Sequence, residues 1–276
     1  THTNVAIDEI KAKLGANAEH LFRSPNFFGT IQSFVNTFLA IPAYRNEFKQ
    51  AIHSIDAEIF YSGIERLYRR TQKAQYKLEH FYGNTVSDIG SLLISPEDLT
   101  VTESVRNKFK KLKETEKSFE EICSIRSQLL KDGILSYQDA YSLALRYLEQ
   151  YPIIVKAMQK RFEFIFLDET QDTDLVQFKV LDQLFSDSDD VIFQRLGDPN
   201  QAIYFSVVQK DMIWRPKPFF LPFSDTKRFG KTIVKILDTV RINRQISLKE
   251  NPDRESLPPS IITYTDNSIK NVLHTF

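Results

Sequence analysis

The sequence predicts an α/β protein in which helices cover a parallel sheet and a long helical segment precedes that sheet. Residues 164–167 and 191–193 are continuous apolar runs without polar alternation, a pattern typical of strands that are buried on both faces. Apolar residues recur at helical spacing over residues 175–184, so these three segments predict a β-α-β unit with parallel strands. The third observation is a charged pattern of helical period that runs from about residue 45 to residue 131.

The composition limits the classes of function. The chain has 276 residues and a formal net charge of zero, with 36 basic and 36 acidic side chains. This balance argues against a generally basic DNA-coating protein but leaves room for a local basic groove. The single cysteine, Cys123, excludes a disulfide framework within the chain and fits a reducing cytosol, so we expect a cytoplasmic protein. No apolar run reaches the roughly 18 residues of a membrane-spanning helix, so no membrane partner is expected.

Helical patterns dominate the first half of the chain. Residues 1–14 have helical spacing, and residues 29–44 place Phe34, Phe38 and Leu39 on one side of a second amphipathic segment. The charged region that follows carries two apolar stripes, formed by Ile64, Leu67, Tyr68, Leu78 and Phe81 and by Val105, Phe109, Leu112, Phe119 and Ile122. Its polar faces carry Arg66, Arg69, Arg70, Lys73, Lys77, Lys108, Lys110, Lys111 and Lys113. Such a face is either solvated or turned toward nucleic acid.

Local signals predict the boundaries of the remaining elements. A turn-rich break covers residues 84–100, and Ser136 predicts the N-cap of a helix that extends to Gln150. Farther along, residues 219–223 predict a strand and residues 231–240 predict a helix.

Polar side chains follow both strands of the predicted β-α-β unit. Asp168 and Glu169 come directly after the first strand, and residues 198–201 follow the second. Parallel neighbours lie about 4.8 Å apart with their carboxyl ends at one edge, where open α/β sheets bind ligands. We therefore expect these two groups of side chains to face one crevice.

Two adjacent carboxylates at a strand end suit magnesium-dependent phosphate chemistry. One carboxylate holds the ion, usually through water, and the other polarises an attacking water molecule. An amide such as that of Gln201 can contact the terminal phosphate. The alternative is an acidic turn that caps the following helix, a role for which Asp172 and Asp174 are suited.

Five segments, in order along the chain, resemble motifs of the superfamily 1 UvrD/Rep-like helicases. The sequence LDETQDT at residues 167–173 is similar to motif II, and GDPNQAIY at residues 197–204 is similar to motif III. Weaker similarities link THTNVA at residues 1–6 to motif Ia, GTIQSF at 29–34 to motif Ib and SDTKRF at 224–229 to motif IV. The resemblance implies a RecA-like P-loop NTPase sheet that binds ATP and Mg²⁺.

The resemblance also implies a role for individual residues. Asp168 would ligate Mg²⁺, Glu169 would activate the hydrolytic water and Gln201 would sense the γ-phosphate. Arg228 would reach that phosphate from a second motor domain. Contacts to single-stranded or partly duplex DNA would come from Thr3, Asn4, Thr30, Ser33 and Tyr204.

The family needs a glycine-rich phosphate loop before motif Ia, and here motif Ia begins at residue 1. We therefore expect this chain to be part of a longer polypeptide and to lack efficient ATP hydrolysis by itself. We do not expect the Gly-Lys-Thr sequence at residues 230–232 to form this phosphate loop. Bulky residues precede it, and Asp225 stands where the loop needs glycine or alanine. Lys231 and Thr232 are instead expected to start a helix.

The lead hypothesis is an ATP-dependent DNA helicase or translocase that moves 3′ to 5′. The expected domains are a first RecA-like domain (1–44 and 134–222), a helical 1B insertion (45–133) and the beginning of a second RecA-like domain (223–276). One alternative is a metal-dependent nuclease that uses Asp168, Glu169, Asp172 and Asp174. Another is a degenerate helicase module that binds a partner, such as a nuclease, in a repair or defence complex.

Overall fold

The computed structural model describes residues 4–83, 85–186, 188–202, 219–241, 244, 247–255 and 265. The chain divides into two compact units, Thr1–Gly197 and Asp198–Phe276. The helices of the first unit are α1 (Asn4–Leu14), α2 (Ile31–Val35), α3 (Ile41–Phe48), α4 (Ala57–Tyr68), α5 (Lys73–Phe81), α6 (Thr85–Gly90), α7 (Thr102–Lys108), α8 (Lys117–Lys131), α9 (Tyr137–Gln150), α10 (Pro152–Arg161) and α11 (Leu175–Phe185). Its strands are β1 (Ser54–Ile55), β2 (Ile134–Leu135), β3 (Phe164–Leu167) and β4 (Ile192–Arg195).

A first hydrophobic core lies among helices α4 to α8, and we call it the helical core. Both predicted stripes supply it, since Ile64, Leu78, Val105 and Ile122 are fully buried. The prediction was wrong for Phe81, whose side chain is 50% exposed. Phe81 is the last residue of α5, where the helix leaves the core.

A second hydrophobic core, the sheet core, joins the N-terminal helices to α9, α11 and the strands β3 and β4. Helix α2 continues through a π-helical turn, Asn36–Ala40, into α3. Phe34 and Leu39 are buried in this core, and Phe38 packs against it half-buried, as the amphipathic pattern predicts. Helices α9 and α11 begin at capping boxes made by Ser136 and Asp174.

The predicted β-α-β unit is confirmed. Strands β3 and β4 pair in parallel, with Phe164 opposite Ile192 and Leu167 opposite Arg195, and α11 connects them. The expectation of burial on both faces was wrong, because Phe164 and Phe166 are 62% and 64% exposed. Ile165 and Leu167 face the sheet core, so the described part of the chain covers one face of this two-stranded sheet.

The other differences concern local boundaries. The break at residues 84–100 contains the short helix α6. Residues 219–223 form no strand; the nearby pairing is an isolated bridge between Asp225 and Lys249. The predicted helix after residue 230 is confirmed as α12 (Lys231–Val240) in the second unit. Within the described residues, no helix has both the length and the apolar character needed to cross a membrane.

Candidate nucleotide site at the ends of two parallel strands

Main-chain and side-chain hydrogen bonds connect the carboxyl ends of β3 and β4. The Leu196 amide donates to the Leu167 carbonyl at 2.8 Å. Thr170 then donates twice to the Leu196 carbonyl, from its amide at 2.9 Å and from its hydroxyl at 2.7 Å. Thr170 is fully buried, so the loop after β3 is held against the end of β4 from inside the protein.

The carboxylate pair predicted for magnesium and phosphate chemistry lies at this edge of the sheet, after β3. Asp168 is partly buried, and Glu169 is exposed at the start of the 3₁₀ turn Thr170–Asp172. Glu169 has left-handed backbone angles, φ 52° and ψ 44°. This conformation costs a residue with a Cβ about 1 kcal/mol or more, and such strain is common at functional sites. The turn thus presents the Glu169 carboxylate to solvent beside Asp168.

Gln171 orients the Glu169 carboxylate, a relation that the sequence pattern did not indicate. Its side-chain amide donates to Glu169 Oε2 at 2.6 Å. Gln171 itself is only 1% exposed, so the donor is held by its surroundings. A buried amide therefore fixes one carboxylate oxygen of an exposed glutamate, which suits a group that must hold one orientation.

Asp174 has the alternative role that the sequence allowed. Its carboxylate accepts from the Gln177 amide at 2.8 Å, and the Gln177 side chain accepts from the Asp174 amide at 3.2 Å. Gln177 also donates to the hydroxyl of Tyr141 at 3.1 Å. Burial raises the pKa of the Tyr141 phenol, which therefore stays neutral. Asp174 is thus committed to beginning α11.

The carboxylates of this loop do not form a multidentate metal cluster. Among the described residues, no group of three or more His, Cys, Asp or Glu side chains could hold a metal ion. The nuclease alternative, which needs Asp168, Glu169, Asp172 and Asp174 together, lacks that geometry. A single strand-end carboxylate with water in the remaining positions does fit Mg²⁺, which keeps several of its water molecules when bound.

The second unit begins with the residues that resemble motif III. Asp198 caps the 3₁₀ turn Pro199–Gln201 by accepting from the Asn200 amide at 2.9 Å. The exposed Gln201 side chain donates to Asp198 Oδ2 at 3.2 Å. Asp198 therefore orients the amide predicted to sense phosphate. The crevice expected to be shared with Asp168 and Glu169 stays a prediction.

The segment before α12 is hydrogen-bonded in a way that does not suit a phosphate loop. The Thr226 amide donates to the Lys249 carbonyl at 3.0 Å, and the Arg228 amide donates to the Thr226 hydroxyl at 3.1 Å. A phosphate loop must instead offer such amides to its ligand. Gly230 precedes the first residue of α12, as expected for Lys231 starting a helix. Arg228 is exposed, and its role as a phosphate ligand stays a prediction.

The predicted DNA-contacting residues are only partly described. Thr30 caps α2 by accepting from the Ser33 amide at 3.0 Å, and the Ser33 hydroxyl donates to the Thr30 carbonyl at 2.8 Å. Asn4 begins α1, while Thr3 and Tyr204 lie outside the described residues. The structural role of Thr30 and Ser33 is thus clear, and all five DNA contacts stay predictions.

The parallel strands, the helix that connects them and the strand-end carboxylates define an α/β protein, and comparison with known proteins specifies its family. Residues 1–205 match the model of the UvrD/REP helicase N-terminal domain. The chain belongs to this family.

Individual relatives match over shorter stretches. ATP-dependent DNA helicase PcrA of Bacillus subtilis is 28% identical over 155 residues, which are 52% of this chain and 19% of PcrA. RecBCD enzyme subunit RecB of Mycolicibacterium smegmatis is 39% identical over 74 residues, 26% of this chain and 7% of that subunit. RecB of Buchnera aphidicola is 30% identical over 74 residues, 27% of this chain and 6% of that subunit. The matched stretches thus span a fifth or less of these relatives.

Proposed function

We propose that the chain belongs to the motor of an ATP-dependent DNA helicase or translocase of the UvrD/Rep type, which moves 3′ to 5′ on single-stranded DNA. The observation that carries the proposal is the pair of partly buried Asp168 and exposed Glu169 at the end of β3, with Glu169 oriented by buried Gln171. Membership of the UvrD/REP helicase family and the similarity to PcrA support it.

Asp168 and Glu169 have different proposed roles at the strand end, in ion binding and in catalysis. Mg-ATP, when bound, supplies the phosphoanhydride bond whose hydrolysis drives movement. Asp168 would hold the ion through an oxygen ligand. Gln171 engages Oε2 of Glu169, and no hydrogen bond among the described residues engages Oε1. We therefore propose that Oε1 acts as the general base, which accepts a proton from the attacking water.

Gln201 and Arg228 also have proposed roles toward the same nucleotide. Gln201, oriented by Asp198, would contact the γ-phosphate through its amide. Arg228, exposed before α12, would neutralise charge that develops on the same phosphate. DNA would be contacted by Thr3, Asn4, Thr30, Ser33 and Tyr204.

We further propose a domain division into a first RecA-like domain (residues 1–44 and 134–222), a helical 1B insertion (45–133) and a second RecA-like domain that starts at residue 223. The motivation is the helical core, whose buried residues lie between positions 43 and 143. A cytoplasmic location and a partner subunit are also proposed. Two relatives carry the name of a subunit of an enzyme, RecBCD, which supports the partner.

Strand displacement tests the direction of movement. The protein is expressed from its complete coding sequence and given Mg-ATP with duplexes that carry either a 3′ or a 5′ single-stranded tail. We expect unwinding of the 3′-tailed duplex and little unwinding of the other. Preference for the 5′ tail would refute the direction, and shortened strands without ATP would favour the nuclease. Absence of ATP binding would favour a module that only binds a partner.

A further inference from the structure

Helix α5 carries three aromatic side chains on the surface of the helical insertion. Tyr76 is 71% exposed, Phe81 is 50% exposed and His80 is exposed between them. The rings of Tyr76 and His80 are parallel within 2°, with centroids 6.1 Å apart, and Phe81 meets His80 edge-on at 4.9 Å. The three rings contact one another and form an exposed aromatic patch, a surface feature that marks interaction sites.

Basic side chains lie on the same helix as this aromatic row and on the segment that contacts it. Lys73 lies on the same helical stripe, since residues three, four and seven positions apart share a face. The turn after α7 lies against α5 at two points. Lys77 forms an ion pair with Glu116, and the Lys111 amide donates to the Tyr82 hydroxyl at 3.0 Å. The Lys111 ammonium also lies 5.6 Å from the centre of the Phe81 ring.

The charge of these two segments differs from that of the whole chain. Residues 65–82 and 106–117 hold eleven Lys and Arg against four Asp and Glu, a surplus of seven positive charges in a chain whose net charge is zero. Lys73, Lys110 and Lys113 are exposed, and among the described residues no ion pair involves them. These three positive charges are therefore available to an anionic partner.

We propose that Tyr76, His80 and Phe81, with Lys73, Lys110 and Lys113, form a second binding surface for single-stranded nucleic acid, outside the motif residues. Exposed ring faces stack on unpaired bases without sequence preference, while lysines contact the phosphates. A duplex hides its base faces and cannot use the rings in this way. An acidic protein segment would use the lysines but would gain little from aromatic rings spaced along a helix.

The first test distinguishes loss of base stacking on the rings from a general effect of the substitution on the protein. Binding of a fluorescein-labelled single-stranded DNA is measured by anisotropy without nucleotide, using the full chain. Tyr76→Ala should weaken binding about fivefold or more, whereas Tyr76→Phe should bind like the wild type. Tyr137→Ala, a change at another exposed helical tyrosine (47% exposed), is the matched control and should have no effect. Equal binding by Tyr76→Ala and the wild type would overturn the proposal.

A salt titration tests the lysines. The triple variant Lys73→Gln, Lys110→Gln and Lys113→Gln should reduce the slope of log affinity against log salt by about 2, since each phosphate contact on a single strand contributes about 0.7. The control carries the same charge change at exposed Lys156, Lys160 and Lys179 and should keep the wild-type slope. Equal slopes in the two triple variants would contradict the proposal. Because no nucleotide is present, neither test depends on the proposed ATP hydrolysis.

Discussion

Glu169 shows how a single residue can carry both a local energetic cost and a proposed chemical role. Its left-handed backbone places the carboxylate beyond the end of β3, where buried Gln171 holds one oxygen. A glycine would adopt this conformation with less strain but would have no carboxylate. A strained glutamate here is therefore consistent with a functional constraint on the side chain.

This backbone strain predicts a difference in stability between two variants that both lose activity. Glu169→Gly should be more stable to urea than Glu169→Ala by about 1 kcal/mol, since both lose the side chain but only alanine keeps the strain of positive φ. Both variants should lack ATP turnover. An alanine variant as stable as the glycine variant would show that the left-handed conformation is not present in solution.

At the scale of elements, the sequence predicts local features such as helix caps better than it predicts which side chains are buried by tertiary packing. The sequence predicts Ser136 as a helix cap and offers Asp172 and Asp174 as candidates for the cap of the next helix. Ser136 and Asp174 take these roles, since a cap depends on a few neighbouring residues. The exposed face of β3 and the exposed ring of Phe81 were not predicted, because apolar runs do not specify which face meets a neighbour. The bond from Gln171 to Glu169 depends on turn angles that the residue types do not determine.

A buried ion pair joins helices α8 and α9. Arg126 donates to Asp139 Oδ1 at 2.6 Å and to the Leu92 carbonyl at 3.1 Å, and both charged side chains are 1% exposed. Asp139 Oδ2 also accepts from the Ser136 amide at 2.9 Å, within the capping box of α9. One carboxylate therefore connects the helical core to the start of the helix that enters the sheet core.

Removal of the Asp139 carboxylate should strongly destabilise the folded protein. Asp139→Ala should lower the free energy of unfolding by about 3–5 kcal/mol, because it leaves the Arg126 charge buried without its partner. Glu65→Ala removes the acidic partner of exposed Arg69 and should change stability little. Urea denaturation followed by circular dichroism measures both. A similar small effect for the two variants would show that the Arg126 environment is solvated.

At the scale of the whole molecule, the first compact unit contains the helical core and the β-α-β edge that carries Asp168 and Glu169, and the second contains Gln201 and Arg228. The family match covers residues 1–205, which include Asp168, Glu169 and Gln201 but not Arg228. The role of Arg228 therefore rests on its similarity to motif IV, while the carboxylate pair rests on both sequence and geometry.

We propose above all that Glu169 activates the water that hydrolyses ATP. The most direct measurement compares DNA-stimulated ATP turnover and ATP affinity of Glu169→Gln with those of the wild type, in protein expressed from the complete coding sequence. Glu163→Gln, the same change at an exposed glutamate just before β3, is the control. We predict that Glu169→Gln lowers turnover by about 10²–10⁴-fold with ATP affinity retained, and that Glu163→Gln changes neither. Wild-type turnover in Glu169→Gln would contradict the account.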